Sequence, residues 1–162
     1  MAGDHGAEQM STAVARAREV DRLRQVAAKA EQARLKADFW REKDPARSAL
    51  ASGSFHRAMD EVYPASWRDT IEALQRGERG AVEPAIVFLE ADPRFFRSGY
   101  MKEELCRFLG RAPLTLQQRN RLVSVAISAI DDGRRPGRER RAFARMLTRI
   151  DPPANAERVR KR

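Results

Sequence analysis

The sequence predicts an all-α protein, and three features predict it. Residues 9–43 run without glycine or proline and are rich in alanine, the best helix former. From residue 63 onward, glycine and proline recur where helices stop and start. Between these breaks, apolar residues return three and four positions apart, the period of one helix face.

The first helix is expected over residues 9–43. Its three-four series, Ala13, Arg16, Val20, Leu23, Ala27, Ala30, Arg34 and Ala37, is a heptad-like stripe of mostly small residues. A strong coiled coil would carry Leu or Ile there. Acid-to-base pairs three apart, Glu19 with Arg22, Asp21 with Arg24, Glu31 with Arg34 and Asp38 with Arg41, support the helix by about 0.2–0.5 kcal/mol each. This reads as a long, solvent-exposed N-terminal helix that docks a partner through Val20, Leu23, Phe39 and Trp40. "DPARSALASGSF", residues 44–55, is small and polar with Pro45 and Gly53, and reads as a linker.

Five helices are expected beyond it. The first has Ser66 as N-cap and Gly77 as its end; the second takes Pro84 into its first turn and stops before Pro93. The third, "SGYMKEELCRFLG", closes at Gly110, with Met101, Leu105, Phe108 and Leu109 on one arc. The fourth opens on a Thr115–Gln118 capping box and ends at Gly133; its apolar residues cover about 200°, which calls for contact from two sides. The fifth, "GRERRAFARMLTRID", is stopped by Pro152 and Pro153. The domains so read are an N-terminal extension over 1–46, a linker and short helix over 47–62, a helical-hairpin domain over 63–151, and a basic, disordered tail over 152–162.

Trp67 to Tyr100 and Gly77 to Gly110 are both 33 residues apart, a weak internal repeat. In architecture this resembles a short stack of antiparallel helical hairpins, HEAT-like or a small helical bundle. No signature motif of a family accompanies it.

The net charge of +9 is unevenly spread. Residues 1–46 sum to +1, residues 47–95 to −2 and residues 96–162 to +10, which points to an anionic partner for the C-terminal part. Of 32 basic residues only five are lysine, a ratio that a GC-rich genome explains, so placement is more informative than arginine identity. A single cysteine, Cys106, excludes an internal disulfide, and no apolar run approaches a membrane span. A bacterial, cytoplasmic protein is the expectation.

The chemistry-bearing inventory is thin. His56 and Asp60 share a helix face but make an incomplete metal site, and Cys106 has no histidine near it in sequence. Phosphate loops, nucleophile elbows and paired cysteines are missing. No cofactor, no metal and no enzymatic activity are therefore expected. "DPRFFRSGYMK" interleaves aromatics with cations, a pattern suited to base stacking, although Phe95 and Phe96 fit a packed hinge better than Tyr100 does.

The last helix concentrates the charge. On a helical projection Arg138, Arg141, Arg145 and Arg149 form one stripe, away from Phe143, Met146, Leu147 and Ile150, and Arg134 and Arg135 extend it into the preceding loop. Like charges four apart cost a few tenths of a kcal/mol each where an acid would help. Two functions follow as expectations: a non-catalytic helical adaptor for a protein partner, or a nucleic-acid-binding protein whose six arginines hold phosphates. A helix-turn-helix fits less well, because "DDGRRPG" is long for its turn and the last helix presents no Asn or Gln to read bases.

Overall fold

The computed structural model describes residues 4–62 and 67–151, with the side chains of all of these except 4–11 and 68. It is all-helical, with no strand among the described residues. Among the described residues seven α-helices occur in order: α1 (Asp4–Trp40), α2 (Pro45–Val62), α3 (Trp67–Gln75), α4 (Val82–Ala91), α5 (Ser98–Leu109), α6 (Leu116–Asp131) and α7 (Gly137–Ile150). A single 3₁₀ turn, Arg79–Ala81, precedes α4. Ser66, Pro152, Pro153 and the basic tail lie outside the described residues.

The chain divides into two units, Met1–Pro64 with Glu90–Phe96, and Ala65–Leu89 with Arg97–Arg162. In the first, α1 and α2 pack as an antiparallel hairpin. Ser48 Oγ donates to the Ala37 carbonyl at 3.0 Å and Arg22 donates to the Glu61 carbonyl at 3.2 Å, which sets the register. Leu23, Ala27, Ala30 and Ala37 of the expected stripe are buried, together with Val26 and Val62. Small side chains there let two backbones approach closely. Arg24 reaches the Glu90 and Ala91 carbonyls at 3.2 Å each, satisfying acceptors at the end of α4.

Two expectations are corrected here. The segment 44–55 is not a linker: α2 runs unbroken from Pro45. Asp44 accepts the Arg47 backbone N–H at 3.1 Å, so Asp44-Pro45 is an N-cap followed by a first-turn proline, and the same residues that read as loop punctuation start a helix. Gly53 costs α2 about 1 kcal/mol against alanine, and packing on α1 offsets it. In consequence α1 is not a bare extension, and a boundary at residue 46 falls inside the hairpin. Leu23, at 4% exposure, is interior rather than a partner contact.

In the second unit, α3 ends in a Schellman turn. Gly77 takes φ +75°, its N–H donates to the Leu74 carbonyl, and that of Glu78 donates to Ala73. Val82, Ala85, Ile86, Val87, Phe88 and Leu89 bury α4 on every face, and Trp67 lies against Phe88 with ring centroids 5.5 Å apart. The Thr115–Gln118 capping box forms as the sequence predicts. Only Leu122, Ala126 and Ala129 of α6 are fully buried, so the broad apolar arc is half-covered rather than enclosed. The 33-residue spacing does not mark repeated local structure, since Gly110 has φ −63° where Gly77 is left-handed.

The last helix is central to this unit, packing on both α5 and α6. Gly99 faces Glu139 at one end of α5, and Gly110 faces Met146 and Arg149 at the other. Both pairs advance in the same direction, so α5 and α7 run parallel. The approach is close at both ends: a Cβ on Gly99 would lie 2.5 Å from Glu139 Oε1, so the Glu139 side chain would have to shift, and one on Gly110 would lie 3.2 Å from Arg149 Cδ.

A candidate anion-binding groove

The parallel packing of α5 and α7 leaves a groove of about 390 Å³ between them. Its floor is Cys106, Ala142 and Met146. Arg138, Arg141, Arg145 and Arg149 form one wall, and Arg107 with Arg111 forms the other. Glu103 is the one carboxylate in the lining. From Arg141 to Arg149, and between Arg107 and Arg111, four-residue spacing sets successive arginines about 6 Å apart along the helix axis.

The arginines fall into two groups. At the α5 N-terminal end, Arg138 Nε donates to Glu103 Oε2 at 2.5 Å, and its guanidinium stands 4.5 Å from the Tyr100 ring centroid. The Glu103 hydrogen bond raises the already high pKa of Arg138. Arg107 has Glu104 at 3.7 Å and covers the Phe108 ring at 4.5 Å. Further along, Arg111, Arg141, Arg145 and Arg149 have no carboxylate within ion-pair distance among the described residues, and all four are exposed.

Of the six arginines the sequence singles out, the structure brings Arg138, Arg141, Arg145 and Arg149 to this groove. Arg134, 91% exposed, is outside its lining. Arg135 is a correction: its side chain is 8% exposed and is held by Glu139 at 3.1 Å, above the Phe143 ring. It belongs to a buried cluster in which Lys102 and Arg135 face Glu139 and Asp132, two cations against two carboxylates. Burial of such charges is tolerable only when they are paired in this way. The stripe also differs from the projection, which sends it straight away from the core. Ala142 and Met146 carry the wall down to α5, so the arginines border a cleft instead of open solvent.

Sequence reasoning misses Arg107 and Arg111. Their signal was spacing alone: Glu103, Arg107 and Arg111 recur every four residues, like Arg141, Arg145 and Arg149. Which helix they face is a tertiary fact.

No family model matches the chain, and no curated protein or solved structure matches it either. The remaining candidates are therefore judged on geometry. Val20 is half-buried and Leu23 interior. Phe39, 55% exposed, makes an edge-to-face pair with Trp40 at 4.8 Å, while Lys43 covers Phe39 and Arg47 covers Trp40. That cluster caps the turn between α1 and α2. Burial pushes the Cys106 thiol pKa well up, with the charge of Glu139 adding to it, so this sulfur is held as a neutral thiol. His56 is exposed, and no group of three potential metal ligands occurs among the described residues. No helix in the described residues is long and apolar enough to cross a membrane.

Proposed function

We propose that the chain is a non-catalytic helical protein that holds the phosphate backbone of a nucleic acid in the α5–α7 groove. The observation that carries this reading is the convergence of six arginines on one cleft with a single carboxylate. Guanidinium groups pair with phosphate oxygens in a planar, two-pronged geometry, and their affinity draws on release of counterions from the polymer. An ordinary solvated helix face would intersperse acids, because each pair lowers the energy of the free protein. The wall from Arg141 to Arg149 instead keeps its like charges at four-residue spacing along about 12 Å of helix.

A folded protein partner fits the groove less well. Protein interfaces are anchored on aromatic and aliphatic side chains buried at their centre, and here the floor is narrow and the walls are charged. An adaptor role finds support elsewhere, in Val14, Leu35 and Phe39, exposed on α1.

Binding of a short labelled oligonucleotide, followed by fluorescence anisotropy across a salt series, tests the reading. Affinity should fall linearly on a logarithmic salt scale. The double change Arg141→Glu with Arg145→Glu should weaken it roughly 100-fold and lower the slope by about two. Arg119→Glu with Arg140→Glu makes the same change in net charge on exposed residues outside the groove lining. Equal loss in both double variants would mean that net charge acts, not the groove. No binding at low salt would sink the reading.

A further inference from the structure

We infer that the groove is selective for single-stranded nucleic acid, with Tyr100 as the platform on which one unpaired base stacks. The inference rests on the phosphate-binding reading above. Its starting point is a second cavity of about 270 Å³, lined by Tyr100, Glu103, Glu104, Arg107 and Arg138. Three of these residues also line the arginine groove, so the two cavities adjoin each other.

The two adjoining cavities differ in chemistry. Around Arg141, Arg145, Arg149 and Arg111 no carboxylate lines the wall, which suits phosphate. Around Tyr100, Glu103 and Glu104 stand beside Arg138 and Arg107, so a phosphate there would meet two like charges. A neutral base meets no such penalty. Tyr100 is 58% exposed although it belongs to a helix whose other apolar residues are largely covered. Arg138, fixed by Glu103, packs on the ring at 4.5 Å and leaves the rest of it open. An aromatic ring backed by a guanidinium is a stacking surface for any base, because every base has a π-face. In a duplex the bases are already stacked on one another and cannot reach it. The acid-free wall then carries the backbone on either side of the stacked nucleotide.

The test uses the full chain with a labelled single strand and the matching duplex at one fixed salt concentration, then with Tyr100→Ala, Tyr100→Phe and Arg141→Glu/Arg145→Glu. The single strand should bind at least about tenfold tighter than the duplex. Tyr100→Ala should weaken single-strand binding by roughly fivefold to 100-fold, leave duplex binding and the salt slope unchanged, and be rescued by Tyr100→Phe. Tyr100 is exposed, so the fold should survive; unchanged thermal unfolding checks this. Equal effects of Tyr100→Ala on strand and duplex, or none, overturn the inference, as does a wild-type preference for duplex. In those outcomes an intact effect of the arginine pair leaves phosphate binding standing. Binding of poly-glutamate but of neither oligonucleotide would overturn both.

Discussion

Arg22 and Arg34 of α1, and Arg41 in the turn just after it, each have an α1 carboxylate at 2.5–2.7 Å. In the wall formed by α7, Arg141, Arg145 and Arg149 have none among the described residues. Both helices are arginine-rich and come from one chain, so a genome-wide preference for arginine acts equally on both. What differs is the supply of acids. In α1 arginine and acid are set three or four apart, which stabilises a long helix of small residues and leaves its surface nearly neutral. In α7 positions three and four away from these arginines are given to more arginine, and the unrelieved repulsion supports the proposed anion-binding groove.

Four changes would break or sharpen that contrast. The largest effect is expected where charge is buried. Glu139→Gln keeps the shape of the side chain but leaves Lys102 and Arg135 without their shared carboxylate, and should cost about 3–5 kcal/mol in chemical denaturation. A loss under about 1 kcal/mol would mean that the cluster is more hydrated than its exposures of 2%, 8% and 14% suggest.

Next, removing the acids of α1 through Glu19→Gln, Glu31→Gln and Asp38→Asn unmasks Arg22, Arg34 and Arg41. Oligonucleotide affinity should rise by less than about threefold, since these arginines do not converge on a cleft. A gain comparable to the loss from reversing Arg141 and Arg145 would show that groove geometry is irrelevant.

Gly53→Ala should stabilise the protein by about 0.5–1 kcal/mol, because the new Cβ meets only the tip of Arg57 at 3.8 Å. A drop in melting temperature would refute the helical packing of α2 at that point.

The smallest effect concerns Glu19. Its pKa is lowered chiefly by the hydrogen bond from Arg22, so the pair stabilises the fold above the ordinary glutamate range and the contribution disappears as pH falls through the lowered value. Glu19→Gln should therefore cost about 0.2–0.5 kcal/mol at neutral pH, with the difference shrinking as pH falls below the ordinary glutamate range and vanishing below the lowered value. A pH-independent difference would mean that the pair contributes by packing, not charge.

Much of the fold was legible because its signals are local. The Thr115–Gln118 box, the Gly77 stop, the enclosed α4 and all four acid-to-base pairs of α1 depend on residues within one helix and its ends. The same local reading failed at Asp44-Pro45, where loop and helix start share a signature and only the packing of α2 on α1 decides between them. For the groove, one wall could be read as a stripe on α7. The other could not, since nothing local to Arg107 and Arg111 says which helix lies beside them. Arg135 looked like an extension of the stripe because it precedes α7 in sequence, and sequence proximity says nothing of depth.

By itself, then, the sequence determined an all-helical fold, most helix ends beyond α2, the pairing that quiets α1 and the excess of charge on the last helix, because each follows from contacts within one helix and its caps. Tertiary structure alone decided that α1 is half of a hairpin, that Arg135 is buried, and that two arginine rows four residues in period face each other. The last of these depends on α5 and α7 packing closely in parallel, a contact between segments some forty residues apart.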